Sequence, residues 1–179
     1  MILLAEYSEG HFESMITLWQ PFFTTMAGVS ATLVGLLFVS LSINREKITS
    51  GSNDALLRLA KRSFGDFLLV LLIAIFFLIP IQRTSDLAYE LFGLGILRAW
   101  TLLRRFLEFR KDERRPKFID LLREYMLPIF TTVGLLIAGI KIYQNDILGV
   151  YYFVVPVIAT LITRASWNAW LLLIMEKSK

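Results

Sequence analysis

Long apolar runs alternate with charged stretches along the chain, and the runs define its elements. Residues 22–43, FFTTMAGVSATLVGLLFVSLSI, contain no charge. A helix of that length crosses a hydrocarbon core of about 30 Å at about 1.5 Å per residue. Just before it, Phe12, Met15, Ile16 and Trp19 share one helical face, which predicts an amphipathic lead-in with Trp19 at the interface. Pro21 suits the first turn of the span. Residues 64–80 predict a second span, with Asp66 at its start, where a helix N-terminus favours an acid. Residues 87–103 predict a third, carrying Glu90 and Arg98, with Ser85 or Asp86 as its cap. Residues 125–143 and about 148–174 complete the set. The pattern therefore predicts an all-α integral membrane protein, a single helical domain over residues 1–179 with about five spans. The alternative is four, with span 3 lying on the surface.

Charge gives the spans a direction. Arg45, Lys47, Arg58, Lys61 and Arg62 separate spans 1 and 2. Arg104, Arg105, Arg110, Lys111, Arg114, Arg115, Lys117 and Arg123 separate spans 3 and 4, and Lys177 and Lys179 close the chain. Five-span threading puts all of these on one side and leaves the other with Arg83 and Lys141. The excess of Lys and Arg marks the cytoplasmic side, so the N-terminus is expected outside and the C-terminus inside. The net charge of +4 and pI near 9.5 then report topology, and nucleic acid is not an expected partner. In the 104–123 loop, Phe106, Phe109, Phe118, Leu121 and Leu122 are interspersed among the charges. They suggest short cytoplasmic helices that meet anionic headgroups or dock a cytoplasmic protein.

Composition excludes much chemistry. The chain is 56% hydrophobic over 179 residues, with mean hydropathy +0.61. It has no cysteine, hence no disulfide or thiolate site. Its one histidine, His11, lies between Glu9 and Glu13 and reads as an interfacial residue, since alone it cannot make a metal site. The N-terminal MILLAEYSEG lacks the basic region and apolar length of a signal peptide, and no lipidation motif is seen. No Ser/His/Asp set, metal cluster or phosphate loop points to an enzyme or a cofactor.

Small residues give span 1 its character. Thr24, Gly28, Ala31, Gly35 and Ser42 follow one another at steps of four, three, four and seven. That is a small stripe on one helix face, which in lipid lets backbones approach closely. Gly134 and Ala138 form a shorter pair in span 4. Packing within one bundle and packing between copies both account for these residues. The string AGVSATLVGLLFVSLSIN, residues 27–44, with the late Asn168, Ala169 and Trp170, resembles a box in small multi-span inner-membrane proteins of many bacteria. The resemblance covers span 1 closely and the rest by layout. It implies a multi-span architecture in a bacterial cytoplasmic membrane and carries over no catalytic residue. Asn44, at the end of the box, reads as a C-cap or interface anchor.

The remaining clues are polar residues inside apolar runs. Glu90 and Arg98 are eight residues apart, about 12 Å along a helix, and lie near enough to its ends to snorkel. Arg164 lies roughly ten residues, or about 15 Å, from Met175, with Asn168 one turn on. A central arginine costs about 2.5–3.5 kcal/mol on insertion scales, so it needs a reason. Three readings stand open. Span 5 ends near Thr163 and continues as an interfacial helix with Trp167 and Trp170 in an aromatic belt. Arg164 pairs with Glu90 as a lock. Or Arg164 and Asn168 line an aqueous path. The functional expectation is a self-associating channel or pore for ions or small solutes, anion-favouring through Arg164. The alternative is a membrane adaptor or regulatory subunit docking a cytoplasmic partner through the basic 104–123 loop.

Overall fold

The computed structural model describes residues 2–43, 54–80, 83–109, 118–144 and 146–177. Five α-helices and no strand occur among the described residues: α1 Ile2–Ile43, α2 Asp54–Leu78, α3 Thr84–Phe109, α4 Phe118–Tyr143 and α5 Ile147–Lys177. The fold is all-α.

The helices overrun the apolar runs. No break separates a lead-in from span 1, because α1 passes through Pro21 as one 42-residue helix. Proline removes a single backbone donor there, and the residues on both sides still favour helix. The α2 helix starts at Asp54, ten residues before the apolar run, and stops at Leu78, ahead of Pro80. The residue before a proline disfavours the helical conformation. The α3 helix starts at Thr84, and the Asp86 and Leu87 amides donate to the Arg83 carbonyl. Ser85 and Asp86 therefore sit inside the first turn rather than capping it, where Asp86 still suits the dipole. Residues 104–109 continue α3 and residues 118–123 open α4, so these parts of the basic loop are not separate short helices.

The chain forms two compact units. Residues 1–17 and 80–157 make the first, in which α3, α4 and the front of α5 pack at glycines. A Cβ built on Gly134 would stand 2.5 Å from Val157 Cγ2, and one on Gly95 2.7 Å from Leu136 Cδ2. Leu87, Leu91, Leu135, Ile142 and Val154 of the same three helices are fully buried. The turn from α4 into α5 is clipped by Lys141 Nζ on Asp146 Oδ2 at 2.9 Å, with the Asp146 amide on the Lys141 carbonyl.

Residues 18–79 and 158–179 make the second unit. Its part of α1 buries Phe23, Ser30 and Leu37, seven residues apart and so on one line. The α2 helix buries Ala60, Ser63, Phe67, Val70, Ala74 and Phe77 at alternating steps of three and four. The Phe23 and Phe77 rings stack at 4.2 Å with 7° between planes. Phe23 is twenty residues before the end of α1, and Phe77 is twenty-three after the start of α2. Were the helices parallel, these ends would lie about 65 Å apart at 1.5 Å per residue. The ten residues between them reach at most about 36 Å. The α1 and α2 helices are therefore antiparallel.

Among the described residues, two stretches, Ser14–Ser42 and Tyr125–Tyr143, are long and apolar enough to cross a membrane. Residues 61–78 of α2 are interrupted by Lys61, Arg62 and Asp66, and the matching part of α5 by Arg164 and Asn168.

Candidate functional site

Because α2 begins at Asp54 and ends at Leu78, Asp66 is its middle residue, about 18 Å from either end. The helix-terminus role expected for it does not hold. Asp66 lies beside Phe67 on the buried side of α2 and is itself buried. On α5, Ile158, Leu161 and Ala165 form the buried line, and Arg164 stands at its edge.

The two charges meet. Arg164 Nε donates to Asp66 Oδ2 at 2.7 Å, and Arg164 Nη2 lies 2.5 Å from both carboxylate oxygens. The Asp66 side chain is 4% exposed and that of Arg164 17%. A side-on, two-nitrogen grip of this kind combines charge with fixed geometry. It ties residues 98 positions apart and cancels the charge of both. Asp66, and not Glu90, is the acid bonded to Arg164. The α5 helix also runs unbroken past Thr163 to Lys177, so the arginine does not mark the end of a helix. Thr160 and Asn168, one turn before and after it, are half-buried.

The other sequence-derived residues fall in different surroundings. Glu90 and Arg98 on α3 are half-buried, and both are engaged by other groups. Thr24, Gly28, Ala31, Gly35 and Ser42 are all exposed, and a Cβ on Gly28 or Gly35 would meet nothing within 4 Å. Gly134 and Ala138 are buried in the first unit. Arg104 is exposed, its guanidinium carbon 5.0 Å from the centre of the Trp100 ring. That is cation–π range. Nearby, Phe106 meets Tyr125 edge-on at 6.3 Å. Asn44, Arg110, Lys111, Arg114, Arg115 and Lys117 lie outside the described residues, as do the side chains of His11 and Arg105.

Sequence reasoning missed Asp66 as Arg164's partner. The signal was present: within the five expected spans the only acids are Asp66 and Glu90. Intramembrane charges pair with one another, so each acid is a candidate for each base. No family model, curated protein or solved structure matches the chain.

Proposed function

We propose that the chain is a multi-pass protein of a bacterial cytoplasmic membrane that works as a self-associating subunit, with α1 as the docking helix. The observation that carries this reading is the open face of α1. The most apolar window of Ser14–Ser42 is only 17% buried, unlike the core helix of a soluble protein. Thr24, Gly28, Ala31, Gly35 and Ser42 lie uncovered along it. The Thr32 and Ser42 hydroxyls are tied back to the Gly28 and Phe38 carbonyls, so they add no unmet donor to the surface. Small residues of this kind let a second helix approach closely where lipid gives no hydrophobic drive.

The ion pair supports additional spans. Once Asp66 and Arg164 neutralise each other, the part of α2 from Phe64 to Leu78 carries no uncompensated charge, and the apolar run of α5 loses the charge that interrupts it. With five spans the N-terminus is outside and the C-terminus inside. The apolar run of α2 opens at Phe64, so the pair lies near the inner boundary. Trp167 and Trp170, both exposed, follow Arg164 by about one and two turns and suit headgroup depth. This placement gives Arg164 a structural use, and an axial path between copies would draw no anion preference from it. A pore built on α1 would instead be lined by uncharged small and hydroxyl residues. The adaptor reading keeps the basic 104–123 stretch as its surface, with exposed Arg104 at one edge.

The test is copy number. Full-length protein in nanodiscs, counted by native mass spectrometry, should show more than one copy per assembly. Gly28→Leu with Gly35→Leu should reduce it to one. A wild-type protein that is a single copy at every protein-to-lipid ratio would overturn the reading. Chloride and potassium flux through proteoliposomes then separates a pore from a closed assembly.

A further inference from the structure

Several helical hydroxyls in this chain bond back to their own backbone. Thr25, Thr32, Ser42 and Thr132 donate to carbonyls four residues earlier at 2.8–2.9 Å. Thr101 and Thr131 donate to carbonyls three residues earlier. Ser30 and Ser63 do neither. Both are 0% exposed, and neither Oγ has a protein partner. A buried hydroxyl without a partner is costly, so two in one unit need a physical reason.

Their placement supplies one. Ser63 precedes Asp66 by three residues, one turn along the same side of α2. Ser30 follows Phe23 by seven residues on the buried line of α1. Since Phe23 stacks on Phe77 and the helices are antiparallel, Ser30 falls level with Val70, seven residues before Phe77. Val70 is one turn beyond Asp66. The two hydroxyls therefore bracket the ion pair over seven residues of α2, about 10 Å.

We propose that Ser63, the Asp66–Arg164 pair and Ser30 hold internal water, in a short hydrogen-bonded chain along α2. The chemistry favours water over an ion. An anion would meet the Asp66 carboxylate and a cation the Arg164 guanidinium, whereas the paired charges together are neutral. Water both donates and accepts, and a buried water makes about three hydrogen bonds to otherwise unmet polar groups. Hydroxyls, carboxylate and guanidinium supply those partners. The Arg164 side chain is 17% exposed, so the guanidinium end of the chain reaches the surface of the protein.

Synchrotron hydroxyl-radical labelling of the full chain in nanodiscs tests this, because radicals formed from bound water oxidise side chains that bulk water does not reach. Phe67 and Phe77 are equally buried, at 1% and 2% exposed. Phe67 lies beside Asp66, one turn from Ser63, and Phe77 at the dry stacked end. Phe67 should oxidise several-fold faster than Phe77. In the Ser30→Ala, Ser63→Ala double variant its rate should fall to that of Phe77. A wild-type Phe67 that labels no faster than Phe77 would overturn the proposal, and that comparison needs no variant. So would a fast Phe67 rate unchanged in the double variant, which would assign the oxidation to leakage of bulk water.

Discussion

Replacing Asp66 by leucine would strand Arg164 against the apolar side of α2. Both side chains are well under a third exposed, so solvent does not screen the pair as it would a surface bridge. Breaking a buried pair by removing one partner costs about 3–5 kcal/mol. The two single changes should not be equal. Arg164 is the longer and more exposed of the two and can turn its head toward solvent, so Asp66→Leu should fall near the low end of that range. Arg164→Leu leaves a shorter, more buried carboxylate and should fall near the high end. At about 1.4 kcal/mol per tenfold, even 3 kcal/mol shifts the folding equilibrium roughly 140-fold.

The double change is the informative one. Buried ion pairs replaced by apolar residues of similar volume are often neutral or stabilising. Asp66→Leu with Arg164→Leu should therefore return to within about 1 kcal/mol of the parent, leaving a coupling of about 3 kcal/mol or more. Reversible unfolding in mixed micelles, followed by helicity against the mole fraction of SDS, measures all four corners of the cycle. Glu90→Gln in the same background should leave the coupling unchanged, because Glu90 is not the acid that Arg164 holds. Single changes that each cost under about 0.5 kcal/mol, or a double change equal to their sum, would refute the lock.

Other outcomes follow from the same geometry. Gly134→Ala places a methyl 2.5 Å from Val157 Cγ2, on a side chain stiff at its first torsion. Overpacking of about 1–3 kcal/mol should outweigh the gain in helix propensity of about 1 kcal/mol, and the unfolding midpoint should fall. A raised midpoint would show that the close approach relaxes freely. Lys141→Ala removes a bridge whose side chains are 35% and 43% exposed, so stability should change by less than about 1 kcal/mol, and less still in high salt. The chain has no cysteine, so single cysteines report topology without background. With five spans, Gln144→Cys should react with an impermeant maleimide from outside the cell and Ser178→Cys only after lysis; a four-span arrangement that keeps the N-terminus outside reverses both.

The helices were legible where the chain is apolar, since periodicity and length alone identify a 20-residue span. Their ends were not. The stretch DALLRLAKR before Phe64 is charged enough to read as a loop, yet Ala, Leu, Arg and Lys are strong helix formers. Hydropathy marks where hydrocarbon could begin, whereas backbone hydrogen bonding continues until a cap or proline stops it. That difference moved Asp66 from an expected helix terminus to the middle of α2, and the partner of Arg164 was missed with it. Spacing likewise showed that α1 has a small-residue face. Whether another helix covers that face depends on contacts between segments distant in sequence, which no local pattern records.

Those contacts divide α1 into two faces that can be perturbed separately. At about 100° per residue, Phe23, Ser30 and Leu37 fall within about 20° of one line. Thr24, Gly28, Ala31, Gly35 and Ser42 centre about 130° around the helix from it. A helix docking on the small face would thus not disturb the Phe23–Phe77 stack. Leu37→Ala, which empties a buried site, should cost about 2–5 kcal/mol of stability and leave association of the folded protein unchanged. Gly35→Leu should do the reverse, since a new side chain there meets nothing within 4 Å in its own chain. Unfolding midpoints and assembly mass, measured on both variants, give a two-by-two result. If Gly35→Leu lowers the unfolding midpoint of dispersed single copies, the small face packs within the chain, and α1 is a core helix rather than a docking one.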